Sequence, residues 1–405
     1  MQAHQGPQTA CSKSGDPNFP EGLRITPSSL NRARFADGQS AEVNSRWDQD
    51  NVQDIQEFGI AGRIWEAAYA LALYLRPPSP SSNTIRSSLG GEESPRIVFD
   101  PPCSIFSGEN RGSVVAVELG SGAGFAGLHL ARQLKLLLGE NNQTSSSLHE
   151  RDKVILTDLP NVVPLLERNT RRAGFDPTDR GTNSSPSNRR VAVTVRPASW
   201  GNQKEAQDIL KELSKQEFPP SGSRPYKRNP LSHIICSDLV YFPELLPPLL
   251  RSLIFLSEPG EDGHTPEVVI SYKIRSLTKE QPFWSAFGAW FDFVAVDCAK
   301  ACTKDGVDSQ RLDWHRFGSE RGDLSDSLRL SDELFVFVGK RREESFGCRA
   351  PEDNEKVMDG CRLRKREKSD SQEDADEGED AEFVEESGQV GQDMFEWLLL
   401  SGIES

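Results

Sequence analysis

The sequence predicts an α/β fold whose core is a doubly wound, mostly parallel sheet of seven strands. Seven short apolar segments with strand character alternate along the chain with segments whose apolar residues recur at helical spacing. A glycine-rich turn joins one of these strands to a helix, and acidic or aromatic residues follow the ends of several others. In such sheets ligands bind beyond the carboxyl ends of the strands, so the functional site is expected at that edge.

The composition narrows the class of protein. Hydrophobic residues make up 36% of the 405 residues, and no apolar run approaches the roughly 18 residues of a membrane-spanning helix. The N-terminus lacks the apolar core of a secretory signal. Seven cysteines without a CxxC pair predict reduced thiols, with neither a metal site nor a disulfide framework. The expected compartment is the cytoplasm, with the nucleus as a second.

The negative charge is concentrated at one end of the chain. The net charge is −15, and residues 343–405 contribute −13 of it, with 20 acids and 7 bases. The rest of the chain is therefore nearly neutral. A nucleic-acid-binding surface is not indicated by this distribution.

Three regions of different composition follow one another. Residues 1–45 are rich in Pro, Gly, Ser, Asn and Gln and predict a disordered or loosely packed arm. Residues 46–342 predict one folded domain. Its polar stretches are interpreted as insertions, near residues 79–111, 139–152, 175–190 and 214–230.

The acidic region 343–405 predicts a disordered tail, because like charges repel and apolar residues are few. A basic run at 362–368 is either solvated tail or a nuclear import signal. The last apolar segment, which contains Phe395 and Trp397, could bind a further protein or dock on the body of the chain itself.

The first predicted helix precedes the sheet. Residues 62–75 are rich in alanine and leucine at helical spacing, and Pro77 and Pro78 end the pattern. Trp65 lies at the start of this helix. It is interpreted either as a core aromatic or as a ligand-facing one.

The glycine-rich turn is the main sequence signal. An apolar strand ends at Glu118, and Gly120, Gly122, Gly124 and Gly127 follow before a helical pattern. Glycines permit a sharp turn and a close approach of a ligand to the backbone. The spacing satisfies both the GxGxxG pattern of dinucleotide-binding enzymes and the ExGxGxG pattern of S-adenosylmethionine (SAM) enzymes. A purely structural turn is also compatible with it.

Asp158 follows the next apolar strand, at 153–157. An acid at this position can accept hydrogen bonds from ribose hydroxyls in nicotinamide and SAM enzymes alike. It can also be the N-cap of the following helix, at 161–174. The two roles are compatible.

The remaining elements continue the alternation. Trp200 follows a strand and is interpreted as a purine-stacking or an anchoring aromatic, and Asp238 follows a buried strand. Glu118, Asp158, Trp200 and Asp238 all fall at strand ends and are expected to share one site. The later strands are predicted at 191–195, 233–237, 268–272, 293–297 and 334–338, and the later helices at 203–216, 246–256 and 281–293.

Five segments in this order resemble the family-16 methyltransferases: Trp65-Glu66-Ala67-Ala68, residues 117–124, Thr157-Asp158-Leu159, Ser199-Trp200-Gly201 and residues 237–241. These are seven-stranded SAM-dependent enzymes with a Rossmann-like sheet. Most of the characterised eukaryotic members modify protein lysines, including those of translation elongation factors and of a chaperone-type ATPase. The likeness covers roughly residues 55–342.

The resemblance implies SAM as cofactor and an antiparallel pair of strands at one edge of the sheet. Asp238 and Tyr241, in a DxxY element, would lie near the reacting nitrogen, and Asp238 would orient the amine or receive its proton. The implied cofactor-binding residues are Trp65, Glu118, Gly120, Gly122, Gly124, Asp158, Trp200 and Ser237.

The function expected from the resemblance is methyl transfer from SAM to a lysine of a protein substrate, with an elongation factor as one candidate. A small-molecule or nucleic-acid N-methyltransferase is the alternative enzyme, although residues 238–241 lack the prolines of the nucleic-acid motif. A nicotinamide oxidoreductase would explain the glycines but not the DxxY element. A non-catalytic protein that keeps the SAM fold and binds partners is the third alternative.

Overall fold

The computed structural model describes residues 18–20, 22–28, 47–49, 52–78, 96–107, 112–140, 152–177, 191–217, 229–301, 312, 314–316, 334–366, 383–387 and 395. The predicted insertions at 139–152, 175–190 and 214–230 lie largely outside the described residues.

Twelve strands are found in these ranges. They are β1 (Arg96–Asp100), β2 (Val115–Leu119), β3 (Lys153–Asp158), β4 (Ala192–Pro197), β5 (His233–Ser237), β6 (Glu267–Lys273), β7 (Phe291–Ala295), β8 (Asp297–Ala301), β9 (His315–Arg316), β10 (Leu334–Arg341), β11 (Cys361–Lys365) and β12 (Phe383–Ser387).

Eight α-helices accompany them in the described part of the chain. They are α1 (Val52–Phe58), α2 (Glu66–Tyr74), α3 (Phe125–Glu140), α4 (Val163–Arg172), α5 (Gln203–Glu217), α6 (Leu246–Leu256), α7 (Leu277–Trp290) and α8 (Asn354–Met358).

Seven of the strands form the central sheet, in the order β4-β3-β2-β5-β6-β10-β7. The first five are parallel to one another, and β10 is antiparallel to both of its neighbours. The predicted doubly wound, mostly parallel α/β sheet with an antiparallel edge is therefore confirmed. Some boundaries differ. The aromatic helix α7 ends at Trp290, and β7 begins at Phe291, two residues earlier than predicted.

Both faces of the sheet are covered. One face packs against α2 and α3, and the other packs against α5, α6 and α7. All five residues of β2 are buried, as expected for a parallel strand with helices on both sides. In such a sheet the loops that follow the carboxyl ends of the strands form the edge where ligands bind.

The predicted insertion at 79–111 contains part of the fold. Within it, β1 pairs antiparallel with β8, the strand that directly follows β7. Ile97 and Phe99 pack against the core, and the Phe99 ring lies 5.4 Å from that of Tyr74. The prediction of a polar insertion is wrong for residues 96–107, because a short apolar strand is embedded in the Ser- and Pro-rich composition.

The prediction of a disordered tail from residue 343 is also wrong for the described part of that region. Helix α8 packs against α6 and α7, and β11 pairs antiparallel with β12. Two of its acids pair with bases: Arg364 donates to Glu386 at 2.8 Å, and Lys356 donates to Glu385. Part of the negative charge is therefore paired within the described fold.

Two buried arginines attach this region to the domain. The Arg341 guanidinium lies 4.7 Å from the centre of the Trp290 ring, and that of Arg362 lies 5.6 Å from the same ring. Arg341 also donates to the Ile254 carbonyl oxygen. The region after residue 342 thus belongs to the folded domain where it is described.

None of the described helices is both long enough and apolar enough to span a bilayer.

Candidate functional site

A cleft of about 470 Å³ lies at the carboxyl ends of β2, β3 and β5. Its walls come from the glycine-rich turn, the loops after β3, β4 and β5, the start of α2 and the start of α7. Nine of the ten predicted site residues line it. They are Trp65, Glu118, Gly120, Gly122, Asp158, Trp200, Ser237, Asp238 and Tyr241.

The glycine-rich turn forms one wall of this cleft. Gly120 and Gly122 have φ angles of 55° and 53°, a region that favours glycine. A Cβ on Gly120 would lie 2.7 Å from Cζ2 of Trp200, and one on Gly122 would lie 3.0 Å from the Ala61 carbonyl oxygen. Glycine is therefore required here both by the backbone conformation and by the closeness of the opposite wall.

Gly124 is the exception among the predicted cofactor-binding residues, since it does not line the cleft. Its φ angle is 80°, and a Cβ there would lie 3.0 Å from Cδ2 of Leu166 and 3.3 Å from Cδ1 of Leu128. The prediction of a cofactor contact at Gly124 is corrected. This glycine lets α3 begin close to α4.

Glu118 stabilises the glycine-rich turn and the start of α3. Its side chain is 1% exposed, and Oε2 accepts a hydrogen bond from the Gly127 backbone N–H at 3.1 Å. Burial raises the pKa of Glu118 to about 8, because desolvation disfavours the charged form. The carboxyl group therefore holds the start of α3 at the wall of the cleft.

Asp158 connects the turn to the next loop. Its Oδ2 accepts from the Gly122 N–H and its Oδ1 from the Leu159 N–H, both at 2.7 Å. Burial raises its pKa to about 6, and these two bonds limit the rise. The alternative N-cap role is wrong, because α4 begins at Val163 and the residue before it is its cap.

Two tryptophans line the cleft. The Trp65 indole donates to the Ile60 carbonyl oxygen at 3.0 Å, and the guanidinium groups of Arg63 and Arg275 lie 4.2 and 5.4 Å from its ring centre. Trp200 lies against Gly120. Aromatic rings with cations beside them suit a planar, polar ligand.

The DxxY element lies at the end of β5. Asp238 has a φ angle of 61°, and its N–H donates to the Ser271 carbonyl oxygen of β6 at 2.9 Å. Both carboxylate oxygens accept from Arg275, at 2.8 Å from Nη1 and 2.5 Å from Nη2. The expected role of Asp238 as a free proton acceptor does not fit this pairing.

Tyr241 faces the same cleft from the loop after β5. Burial raises its pKa, and the nearby carboxylates of Asp158 and Asp238 raise it further. The phenol is therefore neutral around pH 7. The arrangement brings a neutral hydroxyl and an ion-paired carboxylate to the same cleft.

Arg275 and Glu280 complete this end of the cleft and are not among the predicted site residues. Glu280 is buried and accepts from the Tyr272 hydroxyl at 2.5 Å, from the Arg275 N–H at 3.2 Å and from the Ser276 N–H at 3.1 Å. The only sequence signal was the position of Arg275 just after β6, at the same edge of the sheet.

The N-terminal arm also reaches the cleft, through Asn18 and Leu23. The Asn18 carbonyl oxygen accepts from the Ile60 N–H at 2.9 Å, and Asn18 is buried. The prediction of a disordered or loosely packed arm is wrong at Asn18. Nothing in the polar composition of residues 1–45 indicated this contact.

The strand order, the glycine-rich turn and the acid after β3 define a SAM-dependent methyltransferase of the seven-stranded class. The model of the lysine methyltransferase family matches residues 48–211, in agreement with the resemblance seen in the sequence. The match contains Trp65, the glycine-rich turn, Asp158 and Trp200. It ends before Asp238.

Comparisons with curated proteins and with solved structures do not narrow the assignment further. No curated protein matches the chain. A solved structure of selenomethionine-substituted CurJ carbon methyltransferase is similar at 9% identity and a TM-score of 0.27, and the aligned part covers 58% of this chain and 50% of that one. At so low a score this likeness contributes nothing to the assignment.

Proposed function

We propose that this protein transfers a methyl group from SAM to the side-chain nitrogen of a lysine in a protein substrate. One observation carries the proposal: the glycine-lined wall with Asp158 and the DxxY residues Asp238 and Tyr241 open into the same cleft. A binding site and a reacting end are thus contiguous.

The residues present fit the cofactor. The wall at Gly120 and Gly122 offers bare backbone to a ligand, and the cleft volume of about 470 Å³ is within the range of small-molecule and cofactor pockets. Asp158 would face the ribose hydroxyls, and Trp65 and Trp200 would bound the ring system and the amino-acid part.

When bound, SAM would supply a methyl group on a positive sulfur for transfer to the amine nitrogen, with the C–S electron pair left on sulfur. The protein then has to align the amine, exclude water and favour the amine without its proton. Lysine has a reference pKa of about 10.4, so its extra proton must leave to solvent before transfer.

Tyr241 is suited to align the amine. Because its pKa is raised, it remains a neutral phenol, whose oxygen can accept an N–H bond and direct the nitrogen lone pair toward the cofactor. Asp238, paired with Arg275, would shape the end of the cleft and keep Tyr241 in place.

The partner in this proposal is a protein that carries the target lysine, and the family resemblance makes a translation elongation factor one candidate. The five cysteines that the structure describes are free, which supports a reducing compartment, the cytoplasm or the nucleus. The acidic region beyond residue 366 would serve a further protein contact.

The test is transfer of labelled methyl groups to an extract of cells that lack this gene, followed by mass spectrometry of the labelled fraction. Label on protein lysines is expected. Tyr241→Phe should reduce transfer about 100-fold, the usual cost of a misaligned reacting group, with SAM binding retained. Label on nucleic acid or small molecules alone would contradict the lysine assignment.

A further inference from the structure

Arg275 and Asp238 form the most completely paired ion pair in the cleft. Two hydrogen bonds join them in parallel, the geometry in which guanidinium and carboxylate bind best. The Asp238 side chain is fully buried, whereas that of Arg275 is 30% exposed. Any substrate group that reaches this carboxylate therefore meets the guanidinium first.

The pair is held from both sides. The Arg275 N–H donates to Glu280, and its guanidinium lies over the Trp65 ring at 5.4 Å. Asp238 is the only described non-glycine residue with a positive φ angle. Such a conformation persists where its surroundings fix it, and the fork with Arg275 is the contact that fixes the side chain.

Charged and titratable groups face this end of the cleft from every neighbouring element. The cations are Arg63, Arg275 and Lys279, and the acids and the phenol are Glu66, Glu118, Asp158, Asp238, Tyr241, Glu244 and Glu280. Most of the acids are already engaged: Glu66 pairs with Arg63, Glu280 accepts three bonds, and Asp158 accepts two from the backbone.

An unpaired carboxylate beside an amine would favour the ammonium ion. A charge of opposite sign within about 4–6 Å stabilises the charged form by 1–3 pKa units, and an ammonium ion has no lone pair for attack. A nearby cation has the reverse effect and is a known way to activate a lysine amine.

We propose that Arg275 is a positioning residue that neutralises Asp238, so that the reacting end of the cleft offers no free carboxylate to a substrate amine and favours its uncharged form. The inference rests on the proposed function. It assigns Asp238 the task of holding Arg275 at the cleft rather than that of accepting a proton.

The test uses two nucleosides in place of the unidentified substrate. Sinefungin carries a primary amine where SAM carries its methyl group, and S-adenosylhomocysteine carries nothing there. Calorimetry near pH 7.5 gives the ratio of their dissociation constants. In Arg275→Gln the free Asp238 carboxylate should attract the charged amine of sinefungin. The affinity for sinefungin should therefore rise about tenfold relative to that for S-adenosylhomocysteine, the effect of about one pKa unit.

Asp238→Asn changes the charge in the opposite direction and should weaken sinefungin relative to S-adenosylhomocysteine. Asparagine tolerates positive φ better than most residues, so this variant keeps the backbone. The double variant should return the ratio to the wild-type value. The matched control is Arg196→Gln, which removes a similar arginine–carboxylate fork between β4 and α5, away from the cleft.

Each outcome decides between the two proposals. If wild type binds neither nucleoside, the proposed function fails. If both bind but the ratio is the same in wild type, Arg275→Gln and Asp238→Asn, the inference fails and the function stands. If Arg275→Gln no longer binds S-adenosylhomocysteine, the ratio measured in Asp238→Asn decides. A preference of Asp238→Asn for sinefungin that equals or exceeds that of wild type then overturns the inference.

Discussion

At the scale of single residues, the site depends on backbone conformations that few side chains adopt. Gly120 and Gly122 turn the chain with positive φ at the cleft wall, and Asp238 does so at the reacting end. For a residue with a Cβ this region costs roughly 1–2 kcal/mol. Glycine avoids this cost at the cleft wall, so the backbone strain falls on Asp238, at a point where a ligand would approach.

Gly120→Ala should abolish most of the affinity for SAM. The new methyl group would lie 2.7 Å from Trp200 Cζ2, so the indole must move into the space that a ligand needs. We expect the dissociation constant measured by calorimetry to rise at least tenfold, or about 1.4 kcal/mol.

Gly263→Ala is the matched control, because Gly263 has a φ angle of 73° with open space around its missing Cβ. It should lose similar stability to backbone strain and keep SAM affinity. Equal affinity in the two variants would show that the cleft wall at Gly120 is not where the cofactor binds.

Glu118 should make stability depend on pH. Its pKa is about 8 in the folded protein and near 4.5 in the unfolded chain, so its protonated form adds stability that is complete below pH 4.5 and is lost as pH rises through 8. Glu118→Gln removes this loss. The free energy of unfolding of Glu118→Gln minus that of wild type should therefore rise by roughly 1.4 kcal/mol per pH unit between pH 4.5 and 8. Above pH 8 this difference should level off.

The measurement is denaturant unfolding of both proteins, without ligand, at several pH values. The control is Glu167→Gln, which alters a half-exposed pair with Arg171 on the surface of α4 and should show no such slope. A constant difference between Glu118→Gln and wild type would mean that Glu118 is ionised throughout.

At the scale of elements, the sequence was sufficient where the signal is local. β2, β3, β5 and β6 are apolar runs bounded by turn residues, and their predicted ends are correct to within about two residues. β1 and β8 were not predicted, because a strand of five residues is specified by its partner and these two lie almost 200 residues apart.

The same limit applies to the site. Glu118, Asp158 and Asp238 could be predicted because each directly follows or ends an apolar strand. The partner of Asp238 could not, since Arg275 lies 37 residues further on and only the pairing of β5 with β6 brings them together. The Asn18 contact has no sequence signal at all.

The N-terminal arm should contribute to cofactor binding through its contact with the turn before α2. Gly59 has a φ angle of 60°, and a Cβ there would overlap the Asn18 carbonyl oxygen. Gly59→Ala should therefore displace Asn18 and Leu23 from the cleft and weaken SAM binding about fivefold, the size of a few lost contacts.

Calorimetry measures this affinity, and proteolysis near residue 20 measures release of the arm. Gly22→Ala is the control within the arm itself, since Gly22 also has positive φ but nothing lies within reach of a Cβ. Faster proteolysis with unchanged SAM affinity would show that the arm is docked but has no part in the site.

At the scale of the whole molecule, the domain extends beyond the residues that resemble the family. Arg251 of α6 donates to the Pro351 carbonyl oxygen at 2.8 Å, and Arg341 and Arg362 flank Trp290. The composition could not reveal that part of residues 343–405 is folded. It gives the number of acids but not which of them are paired, nor which aromatic surface of the domain this region covers.

Phe395 is the residue farthest along the sequence that makes such a contact, and Tyr272 and Glu280 connect it to the cleft. Its ring is fully buried and stacks on Trp284 at 5.2 Å, and it lies 6.4 Å from the Tyr272 ring, whose hydroxyl bonds to Glu280. Phe395→Ala should destabilise the protein by about 3 kcal/mol, as expected for a buried phenylalanine.

Because Tyr272 and Glu280 lie between Phe395 and Arg275, the same change should also loosen the reacting end of the cleft. Urea unfolding gives the stability, and methyl transfer at a temperature where both proteins are folded gives the activity. Val384→Ala on β12, where the side chain is 45% exposed, should change neither. Wild-type stability in Phe395→Ala would mean that the ring contributes no burial energy, and the folded domain would then end before this residue.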